Sequence, residues 1–160
     1  VSVTTSQARL AARSRIESAS ITDSKLSPVP FRWQNEAADS QGNTELPETA
    51  SPFVYVEFLV ERGTIIGFAG GRGQNLNSYD ARLVAYVLVP KNNGLDEAES
   101  IGEQIAALFR CYGDGTIQCF DATVYPGGDG ASLSPAGLNS PVGSYFYACA
   151  EISLRFLQIG

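Results

Sequence analysis

Apolar and polar residues alternate strictly along Gly143 to Gln158. Phe146, Ala148, Ala150, Ile152, Leu154 and Phe156 fall on one side, and Tyr145, Tyr147, Cys149, Glu151, Ser153 and Arg155 on the other. Successive side chains of a strand point to opposite faces of its sheet, so the pattern predicts one long strand with a core face and a polar face. Phe53 to Glu61 reads the same way, with Val54, Val56, Phe58 and Val60 towards the core and Phe53, Tyr55, Glu57 and Leu59 away from it. In Tyr79 to Pro90 the two sets are Leu83, Ala85, Val87, Val89 and Arg82, Val84, Tyr86, Leu88. Shorter strands are expected at Phe31 to Gln34, after Pro28 and Pro30, and at Gly115 to Tyr125.

Two segments carry helical spacing instead. Leu95 to Cys111 places Ala98, Ile101, Gly102, Ile105, Leu108 and Phe109 at i, i+3, i+4, i+7 intervals. Asn93 and Gly94 suit its N-cap region, Asp96, Glu97 and Glu99 complement the positive end of the helix dipole, and Gly113 follows as a stop. Thr5 to Ser18 lacks Gly and Pro and sets Ala8, Ala11, Ala12, Ile16 and Ala19 on one stripe, a small apolar face suited to close packing.

Between these elements residues 35–52 and 126–142 are rich in Gly, Pro, Ser and Asp and read as long exposed loops. Arg62 to Ser78, with Gly67, Gly70, Gly71 and Gly73, reads as an extended hairpin arm with a flexible glycine-rich part. The order of elements predicts one α+β domain over 1–160: a mainly antiparallel sheet of four to five strands, two helices packed on one face, and the arm.

Composition narrows the chemistry. The chain has 160 residues, 44% of them apolar, which is enough for one core. Its net charge of -6 argues against a surface that grips nucleic acid, and no stretch approaches the roughly 20 apolar residues that span a bilayer. Nothing in the N-terminal stretch points to export. With no histidine, Ser-His-Asp and Cys-His nucleophile pairs and His-containing metal sites are excluded. Cys111, Cys119 and Cys149 are widely spaced and read as buried free thiols. Gly70 to Gly73 matches neither GxGxxG nor a P-loop, and the acidic pairs Asp96 with Glu99 and Glu57 with Glu61 read as a dipole complement and a solvated strand face. No catalytic, cofactor or metal residues are assigned. Tyr55, Tyr86, Tyr145 and Tyr147 lack interleaved Lys or Arg and suit a core or subunit interface better than base stacking.

The layout resembles the tail-terminator-like (tail completion) proteins of bacteriophages and gene transfer agents with long, non-contractile tails. The segments that carry the likeness are ARLAARSRIES, PFRWQNE, PFVYVEFLVERG, YDARLVAYVLVPKNNG, DEAESIGEQIAALF and the final strand, in that order. The resemblance implies a virion protein assembled in the host bacterial cytoplasm. It implies a homo-oligomer, a hexameric ring that caps the tail tube, meets the tube protein on one side and the head-tail connector or neck protein on the other, and lets DNA pass without specific binding. It implies no enzyme activity, cofactor or membrane. The interface expected on the arm comprises Arg62, Ile65, Ile66, Phe68, Arg72, Asn75 and Tyr79. On the final strand it comprises Tyr145, Tyr147, Glu151 and Arg155. Two other readings stay open: a different ring of the neck or tube, and a monomeric binding module or small enzyme that uses the loops.

Overall fold

The structure, a computed structural model, describes residues 2–34, 51–68, 71, 73–92, 94–130 and 144–160. In chain order the elements are α1 (Thr5–Glu17), β1 (Phe31–Trp33), β2 (Phe53–Gly67), β3 (Leu76–Pro90), α2 (Asp96–Phe109), β4 (Gln118–Asp129) and β5 (Tyr145–Ile159). The five strands form one sheet in the order β1-β2-β3-β5-β4. β2, β3, β5 and β4 are antiparallel neighbours, whereas β1 runs parallel to β2 through Phe31↔Val54 to Trp33↔Val56. The sheet is therefore mixed: three of its four pairings are antiparallel, in keeping with the expected mainly antiparallel sheet, and β1 adds a parallel one. A parallel pair needs a crossover of about a dozen residues or more, and the stretch between Trp33 and Phe53 is long enough to provide it.

The central pair is β3 with β5. All fifteen residues from Leu76 to Pro90 pair in register with Ile159 to Tyr145, without a bulge. Alternation along this ladder sends Ala81, Leu83, Ala85, Val87, Ala148, Ala150, Ile152 and Leu154 to one face, where they meet Ala8, Ala12 and Ile16 of α1 and Ala98, Ile101, Ile105 and Phe109 of α2 in one core. α1 starts with a capping box: Gln7 N donates to Thr4 Oγ1 (3.3 Å) and Thr4 N to Gln7 Oε1 (2.8 Å). Its small alanine face lies close against the sheet as the spacing predicts. α2 has Leu95, not Asn93 or Gly94, at its N-cap, and no side-chain cap bond. Asn93 lies outside the described residues. The first-turn acids Asp96, Glu97 and Glu99 remain to complement the dipole.

Several boundaries differ from expectation. β2 and β3 are longer than the alternating runs and pair out to Gly67↔Leu76, with register shifts between Val60 and Arg62 and between Ile65 and Gly67. Gly63, which interrupts the apolar pattern, sits under the Tyr79 ring, and a Cβ there would come within 2.7 Å of Tyr79 Cε1. β4 runs through Pro126 and Gly127 into residues expected to be loop. The sheet tolerates Pro126 because β4 is an outer strand with a register shift at that point, and the Tyr147 ring fills the space over Gly127. α2 stops at Phe109, and Cys111 takes φ 55°, the left-handed turn that reverses a chain past a helix. Cys111 is thus exposed, correcting the expectation of a buried thiol, while Cys119 and Cys149 are buried. The rest of the expected loops, residues 35–50 and 131–142, lies outside the described residues, as does Gly143 at the start of the expected final strand.

The helix-free face departs further from the reading of a polar side. Phe53, Tyr55, Leu88 and Tyr145 form a second buried cluster there, flanked by Tyr86 and Tyr147. Phe53 to Val56 are accordingly buried on both faces, and Cys149 is only 3% exposed. Among the described residues no helix is long and apolar enough to cross a membrane.

The close helix-to-sheet approach at Gly102 is testable. A Cβ on Gly102 of α2 would lie 2.9 Å from Val124 Cγ1 of β4. Gly102→Val is expected to destabilise the fold by about 1–3 kcal/mol through overpacking, and Val124→Ala in the same chain to recover part of the loss. Urea denaturation of the two singles and the double reads this coupling.

Candidate interaction surface

The helix-free face has three zones set by the β3 and β5 register. At the end nearest Tyr145, aromatic rings interlock. Phe53 meets Tyr145 edge to face at 5.2 Å, Tyr86 meets Tyr147 at 6.1 Å, and the Arg32 guanidinium lies 4.7 Å over the Phe53 ring. Glu57 stands beside Tyr55 and Tyr86. Burial, reinforced by the Glu57 charge, pushes both phenols up to about 12. Burial also raises the Glu57 carboxyl, against hydrogen bonds from the two tyrosines that favour its charged form.

The middle zone is a cross-strand ion ladder. Arg82 of β3 reaches Glu61 of β2 on one side and Glu151 of β5 on the other, the latter at 2.8 Å. The Tyr125 hydroxyl of β4 donates to the second Glu151 oxygen at 2.9 Å. One row along, Asp80 and Arg155 pair at 2.8 Å, and the Arg155 guanidinium lies 5.3 Å from the Phe120 ring centre. These pairs are half-exposed, so they orient the face more than they stabilise the fold.

The third zone is the far end of the sheet, and it is apolar. Of the eleven exposed large apolar side chains among the described residues, five belong to this end of the sheet, Ile65, Ile66, Phe68, Leu157 and Ile159; Leu157 and Ile159 lie on the helix-free face, and Ile65, opposite Asn77, turns to the helix side. Phe68 is 84% exposed. A groove of about 870 Å³ crosses the strands beside them, lined by Arg62, Thr64, Ile66, Asp80, Arg155 and Leu157, with Val3 and Ile117.

The residues proposed from sequence divide between these zones. Arg62, Ile66 and Arg155 come together at the groove, whereas Ile65 turns to the helix side opposite Asn77 and Phe68 is exposed just past the end of β2. Asn75 is half-buried, and its carbonyl accepts from Gly160 N at 3.1 Å. Tyr79 lies on the helix side, stacked on Phe156 at 5.2 Å. Tyr145 is buried, Tyr147 half-buried, and Glu151 is held in the ion ladder. Tyr145 and Arg155 are ten positions apart on one strand, about 33 Å, so the final-strand candidates do not form one patch. Arg72 lies outside the described residues. Sequence reasoning missed Glu61, Arg82 and Tyr125 as members of the ladder. Alternation placed Arg82 and Glu151 on the polar side, but only the register shows that they meet.

Among the described residues no group of three or more His, Cys, Asp or Glu side chains is placed to hold a metal ion. Burial pushes the Cys119 thiol up to about 11 and raises Cys149, away from the thiolate form. The Glu57 and Glu61 carboxylates engage different partners, Tyr55 and Tyr86 in one case and Arg82 in the other. What this face offers a ligand is a fixed polar lattice ending in an apolar margin. No protein-family model matches the chain, and no curated protein matches it either.

The raised Glu57 carboxyl sets a pH dependence. A group whose folded value lies above its ordinary 4.5 contributes stability that is present below 4.5 and lost as pH rises through the folded value. Glu57→Gln does not titrate, so wild type is expected to lose stability relative to this variant as pH climbs from about 4.5 towards neutrality. Urea midpoints of both proteins at a series of pH values measure the difference, and a constant gap would contradict the raised carboxyl.

Proposed function

We propose that the chain is a structural subunit of a phage-like tail, forming a ring that terminates the tail tube and joins it to the head-side connector. The observation that carries this reading is the far end of the sheet, where exposed Ile66 and Leu157 line a groove and Ile65, Phe68 and Ile159 are exposed at the same strand ends. Exposed apolar side chains concentrated at one end of a sheet are a mark of protein association. In this reading the segment beyond Val60 is the arm that reaches a neighbouring subunit or the tube protein. The polar lattice of Glu61, Arg82, Glu151, Asp80 and Arg155 is a rigid wall whose two arginines are already engaged by three carboxylates. Such a wall has little hold on DNA phosphates, and the acidic balance of the chain supports the same behaviour. The segments on which the tail-terminator resemblance rests occur here as helix, short strand, two long strands, helix and final strand, which supports the reading.

Electron microscopy of the purified chain, alone and mixed with tail tubes, tests the proposal. Single-layer rings that seat on tube ends and stop their growth are the expected outcome. Long tubes made of this chain alone would assign it to the tube, and particles that leave tube ends unchanged would count against the terminator role.

A further inference from the structure

We infer that the outer edge of β2 pairs with the same edge of a second copy, antiparallel, about a two-fold axis near Thr64. This inference stands apart from the ring proposal and concerns a contact between two chains.

The hydrogen-bond parity of the sheet fixes which groups are available. Val54 N donates to Pro30 O and Gln34 N to Val56 O, so Val54 and Val56 turn their backbone groups outward to β1. Following the β2 and β3 register through the shift at Glu61, Arg62 and Thr64 face Asp80 and Ser78 inside the sheet, and Gly63 and Ile65 face outward. β1 covers this edge only as far as Val56, with Gln34 at its end, so among the described residues no strand pairs with the outward groups of Gly63 and Ile65. An antiparallel pair centred on Thr64 sets Gly63 of each copy against Ile65 of the other, which satisfies both residues in both chains. Gly63 has no side chain, and Tyr79 already fills the space above it, leaving a surface against which the opposite Ile65 can lie.

Three observations favour a second copy as the occupant. Gly63 to Phe68 carries no charge, in a chain of net charge -6. Two acidic molecules can meet there without placing like charges on the axis. Natural edge strands are blunted with charges, prolines or bulges, and the opposite edge of this sheet is so treated: β4 carries Asp121, Pro126 and two register shifts. β2 has two shifts as well, but they flank Arg62 to Ile65 and leave that window regular. A head-to-tail sheet would need two competent edges, whereas an isologous contact needs the same edge twice. Ile65 and Ile66 are also exposed in this window, so the same edge offers apolar side chains to its own copy, as self-complementary contact requires.

Light scattering on the full chain, with reductant present because Cys111 is exposed, tests the contact. Before it meets a tail tube, wild type is expected at the mass of two copies, falling to one on dilution. Ile65→Pro removes an outward N–H while leaving the bonds to β3 in place, and Ile65→Lys puts charge on the axis. Both should give the mass of one copy with unchanged circular dichroism. Wild type at the mass of one copy up to about 1 mM, where even a weak contact is populated, overturns the inference. So does a two-copy mass that survives both substitutions. Six-copy rings that persist in Ile65→Pro leave the ring proposal standing and remove this contact. A two-copy species lost in both variants, with no rings by microscopy, does the reverse.

Discussion

The unbroken pairing of β3 with β5 is the constraint on which the other features rest. A sheet has a side-chain period of two, so fifteen consecutive pairs without a bulge fix the facing of thirty residues together. A one-residue slip would turn Leu83, Val87, Ala150 and Ile152 out of the helix-side core and bring Arg82 and Glu151 into it. Burying those charges away from Glu61 and Tyr125 would cost more than the apolar contacts could offset. The ion ladder therefore acts as a check on register even though each half-exposed pair adds little stability by itself.

The outer strands absorb the irregularity that the centre does not. β2 shifts register at Glu61 and Ile66, and β4 shifts twice between Cys119 and Gly128. Glycine and tyrosine solve the same packing problem on both sides. The Tyr79 ring lies over Gly63 on the helix side, and the Tyr147 ring over Gly127 on the other. In each case an aromatic side chain from a neighbouring strand supplies the apolar surface that the glycine lacks.

The alternating runs made β3, β5 and the start of β2 legible, and the i, i+3, i+4 spacing did the same for α2. In each the burial pressure on one face is strong enough to write a period into the residues. Legibility failed where the determinant is nonlocal. β1 is too short to reveal its direction, and its parallel pairing depends on where β2 lies. Pro126 and Gly127 read as loop because their fitness for a strand depends on an outer position and on Tyr147. The second cluster was hidden for a related reason: Phe53, Tyr55 and Leu88 were placed on the correct face, but a face named polar from its average says nothing about a locally aromatic end. Of the candidate surface, the apolar residues Ile65, Ile66 and Phe68 are readable in the sequence, whereas the exposure of Leu157 and Ile159 at the same end of the sheet requires the fold.

The distribution of rings gives the sheet two separate optical signatures. Trp33, the sole tryptophan, is buried in the helix-side core with the Arg13 guanidinium 5.0 Å from its ring centre. Five of the seven tyrosines, Tyr55, Tyr86, Tyr125, Tyr145 and Tyr147, belong to the opposite face or its margin. Indole emission therefore reports the seat of α1, and phenol absorbance reports the helix-free side of the same sheet. If the two signals change together during unfolding, the layers melt as one cooperative unit; if they separate, α1 leaves a sheet that remains assembled.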